Sequence, residues 1–167
     1  MTEPLVRPAR ASDRPAIDKI LTASWGELRA AANARIYDLQ TLPTIVSTDV
    51  GDEIVGVLTY DIDGADIEVV SIDSTRPQHG IGTALLHAAA DVGRANGLKM
   101  IWLVTTNDNL DALRFYQRRG LHILGIRPGA ASVSRTLKPS IPIIGAYGIP
   151  IRDEIILGRA LSASVEL

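Results

Sequence analysis

The run Arg76-Pro77-Gln78-His79-Gly80-Ile81-Gly82-Thr83-Ala84-Leu85 restricts the fold more than any other part of the chain. A polar turn carrying two glycines hands over directly to an amphipathic stretch, so a helix must begin there. A helix N-terminus presents unpaired backbone N–H groups and a partial positive charge. Glycines, lacking Cβ, let a phosphate approach that backbone closely. A phosphate-bearing ligand is the first expectation, and the surrounding chain narrows which one.

The 167 residues suit one domain that buries its own core, expected over 4–167, and 46% apolar content fits an ordinary globule. A net charge of −2 with interspersed signs argues against a nucleic-acid footprint. The absence of cysteine removes disulfides, thiolate metal sites and a cysteine nucleophile together. His79, His87 and His122 are scattered, so no metal site is expected. No apolar run approaches the roughly 18 residues of a membrane span, and the start lacks a signal-peptide core. These features predict a cytoplasmic protein, monomer or homodimer, with no nucleic-acid or membrane partner.

Leu5 to Pro8 reads as an opening strand, with Ser12 or Asp13 capping a helix that carries Ile17, Ile20 and Leu21 on one face. A second helix is predicted over Gly26–Leu39. Strands follow at Thr44–Thr48, Glu53–Asp61 and Asp66–Asp73, joined by turn signals at 49–52 and at Asp63-Gly64, which imply antiparallel neighbours. The helix after the glycines places Ile81, Ala84, Leu85, Ala88, Val92 and Ala95 on one face. Met100–Val104 is a buried strand, Leu110–Arg118 a helix, and Leu121–Ile126 another strand. The segment 127–150 is expected to be a long loop or lid, with one helical turn near Val133–Leu137, before a last strand at Ile151–Leu161. Trp25 and Tyr37 are expected in the early helices, and Asp61, Asp153 and Glu154 would make one side of the molecule acidic and attractive to a cation.

A P-loop would need a longer glycine loop ending in Gly-Lys-Ser/Thr, and a Rossmann fingerprint would need glycine where Leu85 stands. A second signal, Asn109-Leu110-Asp111-Ala112-Leu113-Arg114-Phe115-Tyr116 followed by Gly120-Leu121, puts Asn109 and Tyr116 on one helix face. Together the two signals closely resemble the GNAT superfamily of acetyl-CoA-dependent N-acetyltransferases. The resemblance runs from Val6-Arg7-Pro8-Ala9 and Asp13 to the ending Gly148-Ile149-Pro150-Ile151-Arg152-Asp153-Glu154, which looks like one bacterial branch. One position departs from it: Pro77 stands where the family pattern has Arg or Gln.

The resemblance implies an α/β (α+β) fold, a mixed and mostly antiparallel sheet splayed at its centre with helices on both faces. It implies acetyl-CoA as cofactor, a small-molecule or peptide amine as acceptor, and direct transfer in a ternary complex. Backbone groups of Gln78, His79, Gly80, Ile81, Gly82 and Thr83 would hold the pyrophosphate. Main-chain groups of Val70, Ser71 and Ile72 would bind the pantetheine arm, with Asn109 adding a cofactor-side hydrogen bond beside its N-cap role. Tyr116 corresponds to the family tyrosine that protonates the departing thiolate; packing on the sheet is the plain alternative. Glu68 and Asp66 share a strand face, and either, or a water relay, would serve as general base. A non-catalytic acyl-CoA sensor on the same fold is the competing function, and an unrelated nucleotide-binding protein is the competing fold.

Overall fold

The computed structural model describes residues 4–162. The chain runs through β1 (Leu5–Pro8), α1 (Arg14–Trp25), β2 (Arg29–Ala32), β3 (Arg35–Asp38) and β4 (Thr44–Thr48). It continues through β5 (Ile54–Asp63), β6 (Asp66–Ser74), α2 (Ile81–Ala95), β7 (Met100–Thr106) and α3 (Leu110–Gln117). The last elements are β8 (His122–Arg127), α4 (Ala130–Leu137) and β9 (Glu154–Ala160). Seven strands form one sheet in the order β1-β4-β5-β6-β7-β9-β8, while β2 and β3 pair as a separate hairpin. Every neighbouring pair is antiparallel except β6–β7. This is the mixed, mostly antiparallel α/β sheet expected; residues 163–167 of the expected domain lie outside the described residues.

The sheet buries both faces. On one, Leu58, Ile67, Val69, Ile101, Leu103 and Leu157 pack with Ile81, Leu85, Leu86 and Ala89 of α2 and with Tyr116 of α3. On the other, Val46 and Val57 pack with Ile17, Ile20 and Leu21 of α1 and with Ala30 and Tyr37 of the hairpin. Strands covered on both sides lose the simple polar–apolar alternation, which is why Ile54–Thr59 is buried throughout. Among the described residues no helix is long and apolar enough to cross a membrane.

Three expectations change. The predicted helix over Gly26–Leu39 is the β2–β3 hairpin. Its alanines (Ala30, Ala31, Ala32 and Ala34) have high helix propensity, but pairing and burial of Ala30 and Tyr37 override it. Asn33 and Ala34 turn the hairpin with φ of 56° each, the left-handed pair that matches hairpin twist. Ala34 sits where glycine is favoured and costs about 1–2 kcal/mol. The buried face of α2 is Ile81, Leu85, Leu86, Ala89, Ala90 and Gly93 rather than the predicted stripe. Gly93 carries no hydrophobic signal, yet it lies against Ile67 and Leu161, so the helix rolls toward that contact. Finally, the 127–150 segment contains two-turn α4, and the last strand begins only at Glu154.

The start of α2 seats on β5 because position 56 has no side chain: a Cβ there would meet Ile81 Cγ2 and lie 3.0 Å from Leu85 Cδ1. Gly56→Ala is therefore expected to overpack this contact and cost about 1–3 kcal/mol, read as a lower urea midpoint with an unchanged slope.

Candidate active site

The sheet opens at its centre. β6 and β7 pair from Asp66–Met100 to Val69–Leu103 and no further. Beyond that, β7 stays with β9 as far as Thr106, and β6 stays with β5 as far as Ser74. Opposite Thr59 and Tyr60, β6 carries one extra residue, since Thr59 faces Ser71 and Tyr60 faces Val69. Val70 is thus the bulged residue. Bulges bend a strand and re-aim its side chains: Ile67 and Val69 face α2, whereas beyond the bulge it is Ile72 that packs there and Val70 that packs toward α1. The main chain of Val70–Ile72 consequently forms an edge with no partner strand on the β7 side.

A groove of about 890 Å³ runs from this opening over the start of α2 and along α3. Ile72, Asp73, Gln78, Gly80, Gly82, Thr83 and Tyr116 line it, together with four arginines, Arg76, Arg114, Arg118 and Arg119. Gly80 has φ +76° and open space where a Cβ would stand, so the left-handed turn and the bare backbone are both its work. Gly82 serves differently: a Cβ there would come 3.0 Å from Phe115 Cζ. Arg119 stacks on the Phe115 ring at 3.7 Å and donates from Nε to Thr83 Oγ1 at 2.7 Å. Its charge is thereby held at the mouth of the α2 N-terminus. Burial pushes its pKa down, aided by neighbouring Arg118.

Tyr116 is 7% exposed, and its ring meets Phe115 edge to face at 5.2 Å. Burial, with nearby Asp73, raises its pKa, so the phenol keeps its proton at neutral pH. Asp73 accepts from Trp25 Nε1 at 3.1 Å, and burial raises its pKa against that bond.

On the other side of the opening lies a cavity of about 180 Å³ between the hairpin and the sheet. Trp25, Ala30–Ala32, Tyr37, Val70, Thr105 and Asn109 wall it, and two buried carboxylates, Glu68 and Glu154, reach it. Glu68 Oε1 accepts from Asn33 Nδ2 and from Tyr37 Oη, both at 2.9 Å, while Oε2 has only the longer 3.1 Å share of the Tyr37 hydroxyl. Glu154 is more fully engaged: Ser134 Oγ donates to Oε1 at 2.7 Å, and the Asn33 N–H and Arg127 reach Oε2 at 3.3 and 3.5 Å. Burial lifts the Glu68 pKa, opposed by Tyr37 and Arg35 and reinforced by Asp61 and Asp63. Burial also lifts Tyr37 to about 12. Lys138 anchors the wall from behind, donating from Nζ to the carbonyls of Trp25 and Arg29 at 3.0 and 2.9 Å.

A model of the acetyltransferase (GNAT) family matches residues 14–121. The chain belongs to the GNAT acetyltransferase family. An uncharacterized relative, YdhI of Bacillus subtilis (strain 168), is 39% identical over 137 residues, covering 82% of this chain and 86% of that protein. Among solved structures, an IAA acetyltransferase from Bacillus cereus ATCC 14579 superposes with a TM-score of 0.71 at 21% identity, covering 95% of this chain and 99% of that one. An acetyltransferase of Bacillus subtilis in complex with CoA gives 0.70 at 19% identity, over 95% and 99% of the two chains. These structures share the GNAT fold.

Within this GNAT framework the expected residues separate into groups. Gln78, Gly80, Ile81, Gly82, Thr83, Ile72 and Tyr116 line the groove, and Glu68, Val70 and Asn109 line the cavity. Asn109 also caps α3, accepting from the Ala112 N–H at 3.3 Å. Ser71 is buried with its hydroxyl on Thr59 at 2.7 Å, leaving only its backbone toward the opening. His79 turns back onto the Pro77 carbonyl at 2.8 Å and is absent from the groove lining. Asp66 sits at the hairpin end opposite Asp63, away from the cavity walls. Asn33, Arg127 and Arg119 went unread. Asn33, a residue that tolerates the left-handed turn, was the available signal for the first, and the others become neighbours only through the fold.

A carboxyl whose folded-state pKa is raised stabilises the fold while protonated, and that contribution is lost as pH rises through the folded value. Glu68→Gln keeps an acceptor for Asn33 and Tyr37 without the charge. It is expected to unfold at a higher temperature than the parent at pH 8, with the gap closing toward pH 5, measured by thermal melts across pH.

Proposed function

We propose that this GNAT protein moves an acetyl group from acetyl-CoA to a primary amine by direct transfer in a ternary complex. The observation that carries this reading is the opening between β6 and β7, with a groove holding a neutral tyrosine on one side and a cavity holding a buried glutamate on the other. The groove fits CoA: its open Gly80 backbone, the α2 N-terminus and its arginines suit the phosphates, and the unpaired Val70–Ile72 edge suits an extended amide arm. Acetyl-CoA supplies the acyl group as a thioester.

In this reading Glu68 takes a proton from the bound ammonium. The amine nitrogen forms a bond to the acetyl carbon, and an edge N–H near Val70 meets the developing oxyanion. The carbon–sulfur bond breaks and the thiolate receives the Tyr116 proton, while the nitrogen gives up its second proton through water to restore the phenol, leaving the neutral N-acetyl product and free CoA. Holding both partners at one opening supplies about 7–11 kcal/mol in well-oriented cases. Asp66 has no part in this scheme.

Acetyl-CoA and CoA are expected to raise the melting temperature, and amines to release free CoA thiol. Stabilisation without release across a broad amine panel would favour an acyl-CoA sensor. Tyr116→Phe should lower kcat about 10²-fold with acetyl-CoA affinity held within about threefold; an unchanged rate rejects the acid role. Glu68→Gln should lower kcat/KM about 10²–10⁴-fold. In the parent, kcat/KM should rise with pH as Glu68 loses its proton, on a limb above the ordinary glutamate value because burial, Asp61 and Asp63 outweigh Tyr37 and Arg35. The variant should lack that limb.

A further inference from the structure

The tip of the β2–β3 hairpin presents one carboxamide to two opposite charges. Asn33 Nδ2 donates to Glu68 Oε1 at 2.9 Å and to Tyr37 Oη at 3.0 Å. The Oδ1 at the other end of the same amide accepts from Arg127 Nη1. An acceptor amine that bonds Oε1 of Glu68 places its nitrogen where the amide nitrogen now stands. Any such molecule displaces the Asn33 side chain and removes the oxygen that Arg127 is using. A carboxylate beside the amine would restore that contact with a charge-assisted, bidentate one. The guanidinium side chain is 42% exposed, lies beside Glu154 of the cavity wall and has further N–H groups to offer.

We propose that the acceptor is a compact α-amino acid, its ammonium on Glu68 and its carboxylate on Arg127, in the two places held by the ends of the Asn33 carboxamide. The inference rests on the amine-acetylation reading above and adds the substrate class. The span fits, because an amide nitrogen and oxygen and an α-ammonium and carboxylate oxygen are each separated by two bonds or three. The side chain would meet Ala30, Ala31, Ala32 and Val70, small apolar groups around a space of about 180 Å³. That volume is below the 300–1,000 Å³ typical of ligand pockets, so short side chains fit. Asn33 can leave: it stands in a two-residue turn whose other member, Ala34, is exposed.

The test compares CoA release from acetyl-CoA with L-α-amino acids, their carboxamides and the matching amines without a carboxyl group. The parent should favour the free amino acids at least tenfold in kcat/KM over their carboxamides, with glycine, alanine and valine ahead of aromatic ones. Arg127→Lys, which retains a cation for Glu154, should raise KM for the amino acids about tenfold and leave KM for the carboxamides within threefold. Asn33→Gly, which suits the left-handed turn, should lower KM for amino acids by removing an internal competitor. Equal rates for acids and carboxamides, or an Arg127→Lys loss shared by both, overturn this inference alone. No release with any amine overturns the acetylation reading and this inference with it.

Discussion

Everything at the centre of this molecule follows from two parallel strands that stop pairing after Val69 and Leu103. Parallel neighbours normally bond along their whole overlap, and an unpaired backbone edge inside a sheet is costly unless something else bonds it. Here the bulge at Val70 bends β6 while β7 stays paired with β9 along its length, and the edge is held open. The same bulge has a second effect. Glu68 and Asp73 are five residues apart, an odd separation that a regular strand would send to opposite faces. With one residue inserted, both find partners on the α1 side, Glu68 at Tyr37 and Asp73 at Trp25.

The two buried glutamates are treated differently by their surroundings. Glu154 has partners for both oxygens and an arginine beside it, so it serves to join β9, α4 and the hairpin tip. Glu68 keeps one weakly engaged oxygen and a raised pKa. A buried carboxylate left partly unsatisfied costs stability and gains basicity, the exchange expected where a group must take up a proton. Asn33 bridges the two, so a ten-residue hairpin controls the surroundings of both acids.

Local signals carried the glycine turn, the antiparallel run before it and the Asn109–Tyr116 helix, because each depends on residues close in the chain. Gly80 read correctly as a bare backbone position, whereas Gly82 proved to be a packing contact with Phe115 as well. The hairpin at 29–38 was hidden by its alanines, whose helix preference is intrinsic and whose burial is not visible locally. Glu154 read as an acidic strand residue; its burial needs Ser134, Asn33 and Arg127 from three other elements. Arg119 could not be placed from sequence, since its partners Phe115 and Thr83 lie on different helices.

The back wall of the cavity between the hairpin and the sheet is pinned by Lys138, whose ammonium closes the C-terminal end of α1 and the start of β2. The groove is lined by residues no later than Arg119, whereas the cavity needs Glu154. During synthesis on a ribosome the two halves of the site are therefore complete at different moments. The groove has all its side chains some 35 residues before the cavity (119 to 154), so the chain's last quarter determines when the nascent protein can first present a closed cavity opposite the groove.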